Sequence, residues 1–180
     1  MTTSDLTSAN IVTGERADLL EALGKHRYFL RFTTRDLTDE QISPRTTVSE
    51  LCLGGLIKHV ADTERQWINF VLEGTSAMPS FTEVSEADLA RRALTFGVAE
   101  GETLAGILAD YDEVARRTDE VVASLPDLDA AHPLPEAPWF PPNTQWSARR
   151  VLLHIIAETA QHAGHADIIR EALDGAKSMG

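Results

Sequence analysis

One stretch of this sequence pairs a carboxylate with imidazoles at helical spacing. It reads Val151-Leu-Leu-His154-Ile-Ile-Ala-Glu158-Thr-Ala-Gln-His162-Ala-Gly-His165. At ~100° per residue, Val151, Glu158, His162, His165 and Ile169 fall within a sector of roughly 60°. An acid and two imidazoles thus share a stripe that is otherwise apolar. A carboxylate in such a place needs a counter-charge, and a salt bridge or a metal ion is the usual one. Glu158 and His162 are four apart, so they project from successive turns and can converge on one cation. A nitrogen with an oxygen suits zinc first, and also nickel, iron or manganese, better than calcium or magnesium.

A third ligand must come from elsewhere, and His59 is the best candidate. It shares a helix face with Cys52, Gly55, Thr63 and Gln66, and Gly55 one turn earlier leaves room beside the ring. His59 lies about eleven residues into its expected helix and Glu158 a similar distance into its own, so antiparallel neighbours would bring them to comparable heights. The plainer reading is a solvated Glu–His pair and a hydrogen-bonded helical histidine. Cys52 reads as a small buried residue rather than a nucleophile. Trp67, Trp139 and Trp146 could line a pocket or simply pack. Lys58 and Arg65 read as solvated cations, although either could meet an anionic substrate. No phosphate-binding loop, dinucleotide fingerprint, H-E-x-x-H or nucleophile elbow occurs.

Four long amphipathic segments must position these residues. The first runs from about Gly14 to Thr34, followed by a short turn with a Thr38/Gln41 capping box. The second is expected to begin at Thr47, through a Thr47/Glu50 box, and to end at Gly74. Residues 75–101 read as a crossover, with a short helix from Ser85/Asp88 to Arg92. The third covers about Glu102 to Leu125. A proline-rich connection, residues 127–146, cannot be helical. Its aromatics suggest that it packs against the bundle. Ser147 caps the fourth helix, which runs to Leu173 with Gly175 beyond. No strand-like alternation is visible. Two long connections among four helices exclude a simple up-down-up-down bundle.

The composition agrees with one all-α domain spanning residues 1–180, with residues 1–12 expected to be flexible. Of 180 residues, 43% are hydrophobic but only 6% aromatic, which favours an aliphatic helix-on-helix core. The net charge of −12 argues against nucleic acid and against anionic membranes as partners. With one cysteine and no signal-like or spanning segment, a cytoplasmic setting is expected.

Two stretches, T-V-S-E-L-C-L-G-G-L-I-K-H-V-A (47–61) and L-H-I-I-A-E-T-A-Q-H-A-G-H-A-D-I-I-R-E (153–171), resemble the DinB-like metal-binding bundles. More closely they are similar to the branch of mycothiol-dependent maleylpyruvate isomerase and mycothiol S-transferases. The resemblance implies an up-down-down-up four-helix bundle. It implies His59, Glu158 and His162 as metal ligands, with His165 and His154 beside the site or in the core. It further implies mycothiol or bacillithiol as a thiol cosubstrate and a small electrophile as its acceptor. Isomerase-like members carry an additional C-terminal domain, and this sequence ends just past the fourth helix, so isomerase activity is not expected. The expected function is metal-dependent thiol S-transfer. The alternatives are a non-catalytic metal- or ligand-binding stress module, with a homodimer open to it, and a metal-dependent hydrolase.

Overall fold

In a computed structural model of the chain, residues 12–79, 81, 85–86 and 95–178 are described. The expectations for residues 1–11 and for a Ser85/Asp88–Arg92 helix lie mostly outside them. Among the described residues, four long helices carry the fold: α1 (Glu15–Phe32), α2 (Leu53–Glu73), α3 (Leu104–Ser124) and α4 (Ala148–Asp174). None is long and apolar enough to cross a membrane.

The helix ends follow from their capping chemistry. Thr103 accepts a hydrogen bond from the Gly106 amide at the start of α3, and Ser147 accepts from the Arg150 amide at the start of α4. Gly175 closes α4 in the left-handed conformation. Thr38 and Gln41 form their reciprocal capping box on a single 3₁₀ turn. Thr47 and Glu50 do not. The Thr47 and Ser49 hydroxyls accept from amides two residues ahead, and Glu50 pairs with Arg45. These local bonds compete with helix formation, so α2 starts at Leu53, six residues later than expected.

Contacts fix the direction of each helix. Arg149, opening α4, pairs with Glu15, opening α1, while Arg170 donates to the Thr33 and Arg35 carbonyls just past α1. Helices α1 and α4 are therefore parallel. Arg31 meets Asp112 and Arg27 meets Asp119, so α3 runs against α1. Lys58 meets Glu102 and Arg65 meets Asp110, so α2 and α3 are parallel. His59 lies beside His162, and Trp67 beside His154, so α2 and α4 are antiparallel. The order is up-down-down-up, with the long connections after α2 and α3.

The second connection contains two short strands that the sequence pattern did not show. Strand β1 (Ala131–Pro133) pairs antiparallel with β2 (Gln145–Ser147), setting His132 opposite Trp146. Three-residue strands are too short for period-two alternation to register. The ribbon delivers Trp146 and Phe140 to the bundle surface, whereas Trp139 stays 55% exposed against Phe81.

The interior consists of two apolar clusters. One is built around Leu30, Leu56, Ile57, Tyr111 and Ala166, the other around Leu23, Trp67, Phe70, Val122 and Ile155. A polar layer lies between them, with one buried residue from each helix: Arg27, Glu64, Thr118 and Thr159. Arg27 donates to both Glu64 oxygens and also to Asp119. Burial works against the Arg27 charge, but Glu64 and Asp119 outweigh it and hold the guanidinium above its ordinary pKa.

Candidate functional site

His59 comes from α2, and Glu158 and His162 from successive turns of α4. Their ligand atoms, two imidazole nitrogens and one carboxylate oxygen, all lie within 4.8 Å of one another. The antiparallel register brings this about. His59 is opposite His162 and Trp67 opposite His154, an eight-residue interval on each helix, so α2 and α4 run in step. The α2 start at Leu53 puts His59 closer to the helix end than expected, yet the pairing of heights holds, because the packing of α2 on α4 sets it.

The rings of His59 and His162 meet edge to face at 4.9 Å. His162 Nε2 is 3.7 Å from one Glu158 oxygen, and His154 Nε2 is 4.0 Å from the other. His162 Nδ1 lies 3.4 Å from His165 Nδ1. His162 thus turns one nitrogen toward the carboxylate and the other toward His165. Burial lowers the pKa of His162 below the ordinary imidazole value, and neighbouring His165 lowers it further. Burial also lowers that of His154, against the pull of Glu158. Both rings are therefore neutral at pH 7, with lone pairs to offer. Thr63 stands one turn beyond His59, half-buried and outside the donor set.

Two nitrogens and an oxygen fit zinc and related transition metals. Ligands sharing such an ion stand ~3–4 Å apart, so an ion would draw together the three donors, which lie within 4.8 Å of one another. Three protein ligands are also the number found where a metal keeps a position open for chemistry. The site is partly exposed, with the Glu158 side chain 30% accessible and that of His162 13%.

Several surroundings of the site differ from expectation. Gly55 does not leave room for the imidazole. A Cβ there would sit 1.8 Å from the Phe96 carbonyl oxygen. The glycine lets the end of the crossover lie against α2, and the Phe96 ring then covers His59 at 4.4 Å. Nothing local in the sequence marks Phe96. Trp67 and Trp146 stack at 4.8 Å, and His154 stands edge-on to both. Lys58 and Arg65 are not free cations: Lys58 pairs with Glu102, and Arg65 with Asp62 and Asp110. Cys52 is buried at the start of α2, its Sγ 3.5 Å from the Phe96 carbonyl.

A family model described as mycothiol-S-transferase matches residues 18–175. No curated protein matches the chain. Among solved structures, a conserved protein from Enterococcus faecalis is similar with a TM-score of 0.65 at 14% identity, covering 92% of this chain and 100% of that one. At that identity the likeness extends to the fold alone.

Proposed function

The chain belongs to the mycothiol-S-transferase family, and from that premise we propose that it holds a divalent metal through His59, Glu158 and His162 and transfers mycothiol to a small electrophile. The observation that carries this reading is the convergence of three donor atoms at a partly exposed position. Zinc is the metal the donor set favours. A bound divalent ion supplies positive charge that holds a thiol as its nucleophilic thiolate.

The protein's own side chains do the rest. His162 Nδ1 lies 3.4 Å from His165 Nδ1, so with a metal on Nε2 the His162 Nδ1–H would have an acceptor there to hold the ring. His154 lies 4.0 Å from the second Glu158 oxygen, at the edge of the site. Phe96 packs against His59 on one side of the triad, and the Trp67–Trp146 stack borders it on the His154 side. A reducing compartment such as the cytoplasm suits both a thiol cosubstrate and a lone unpaired cysteine.

The test is metal analysis of purified wild type and His162→Ala, followed by conjugation of mycothiol to an activated aryl halide. Zinc near one equivalent in the wild type, its loss in the variant, and turnover only with zinc are expected. Equal metal in both proteins removes the ligand set. Full metal without turnover leaves a non-catalytic binding module.

A further inference from the structure

The stripe that ends at His162 begins two turns before Glu158. Arg150, His154, Glu158 and His162 recur every four residues along α4. The Arg150 guanidinium lies over the Trp146 ring, 4.0 Å from its centroid. The same indole stacks on Trp67 and meets the edge of His154, which is next to Glu158. Arg150 therefore closes the far end of the row of groups that begins at the triad.

Its charge is unspent. Among the described residues no carboxylate approaches the Arg150 guanidinium to within 4.0 Å, although the chain carries 28 acidic residues. Its neighbour Arg149 is paired with Glu15 and Asp129, and Arg27, Arg31, Arg65, Arg116 and Arg170 all pair with acids. Arg150 is exposed, yet its plane is held by the indole. A guanidinium stacked in this way loses little freedom when its fork takes a carboxylate.

We propose that Arg150 anchors an anionic group, a carboxylate, on the electrophile whose reacting carbon sits at the His59–Glu158–His162 triad. The eight residues from Arg150 to Glu158 span ~12 Å. That length accommodates a bidentate carboxylate, one aromatic ring and an attacking sulfur. Mycothiol's sugar–inositol body carries no acid group, so the anion belongs to the other reactant. The assignment rests on the S-transfer reading above and adds the substrate class, aryl or similarly compact electrophiles bearing an acid. For a chlorinated nitrobenzoate the thiolate sulfur attacks the ring carbon bearing chlorine. The C–S bond forms, the C–Cl bond breaks, chloride leaves with the electron pair, and the thiol proton passes to solvent.

The experiment compares 4-chloro-3-nitrobenzoate with its neutral amide on the zinc-loaded full chain, by equilibrium calorimetry without thiol and by conjugation kinetics with mycothiol. The wild type is expected to bind the benzoate at least tenfold more tightly than the benzamide. Arg150→Gln removes that preference, with the loss falling on the benzoate, and Arg150→Lys, a point charge without the fork, restores part of it. Equal binding of both probes by the wild type overturns the proposal. So does an Arg150→Gln variant that weakens both probes alike, since that is a packing effect through Trp146. A benzoate preference that depends on Arg150 but comes with no conjugation at full zinc content sinks the transfer reading and leaves the anion site standing.

Discussion

Two glutamates of this bundle, Glu64 and Glu158, share a residue type but not a fate. Glu64 is fully buried, and Arg27 saturates both of its oxygens while Asp119 takes a further guanidinium nitrogen. Glu158 stands in a groove with its side chain 30% exposed, and its nearest partners are His154 and His162 at 4.0 and 3.7 Å. Burial holds both of those imidazoles below their ordinary pKa, so neither brings a full positive charge at pH 7. One carboxylate has its counter-ion built into the fold. Among the described residues the other has no such counter-ion, and the two imidazoles nearest its oxygens are neutral at pH 7. Residue type alone does not tell a carboxylate whose counter-ion is built into the fold from one that lacks it.

The largest effect that could break this comparison is on stability. Arg27→Met leaves Glu64 buried without its partner and should lower unfolding stability by about 3–5 kcal/mol in urea melts. The double variant Arg27→Met/Glu64→Leu should return to within about 1 kcal/mol of wild type or exceed it. Metal-free Glu158→Gln should differ from metal-free wild type by under about 1 kcal/mol. A Glu158 variant as unstable as Arg27→Met would erase the distinction between the two sites. Next comes metal binding. His162→Ala should weaken zinc affinity by at least ~100-fold, and the zinc-dependent rise in Tm seen for wild type should disappear. Survival of that rise would mean that the cation sits elsewhere.

A smaller change sharpens the picture of the groove wall. Gly55→Ala drives a Cβ into the Phe96 carbonyl and should cost about 1–3 kcal/mol. Zinc affinity should fall with it, because Phe96 covers His59. The smallest effect is on pH dependence. His154 and His162 bind fewer protons folded than unfolded, so their contribution is complete above the unfolded value of ~6.5 and is lost as pH falls through the lowered folded values. The metal-free wild type should therefore lose stability on acidification through that window, and His154→Gln/His162→Gln should show a shallower slope in thermal melts.

The four helices, the Thr38–Gln41 box and the Ser147 and Gly175 ends of α4 were readable because each rests on spacings of a few residues. The Glu158–His162 pair is legible for the same reason, and the face and expected height of His59 on α2 single it out, with the family resemblance implying the same residue. The polar layer was not found, although a cue existed. Glu64 sits within the apolar stripe of α2, between Val60–Ala61 and Trp67–Ile68, much as Glu158 sits within that of α4. What was missing was its partner, 37 positions away on another helix. The start of α2 is not legible locally because Thr47 and Ser49 can cap a helix or hold a turn with the same hydroxyl, and only tertiary packing decides between them. Phe96 and the Trp67–Trp146 stack depend on how connections fold back, which local periodicity does not encode.

The layer of Arg27, Glu64, Thr118 and Thr159 has a mechanical consequence. Sliding α1 past α2 by a turn, ~5.4 Å, would press the Arg27 guanidinium and the Glu64 carboxylate against leucine and isoleucine side chains and part the pair. Such displacements carry a steep penalty in both directions, so these two helices are indexed against each other like meshed gears. Any adjustment within the bundle then falls to side-chain rotation and to the inter-helix connections.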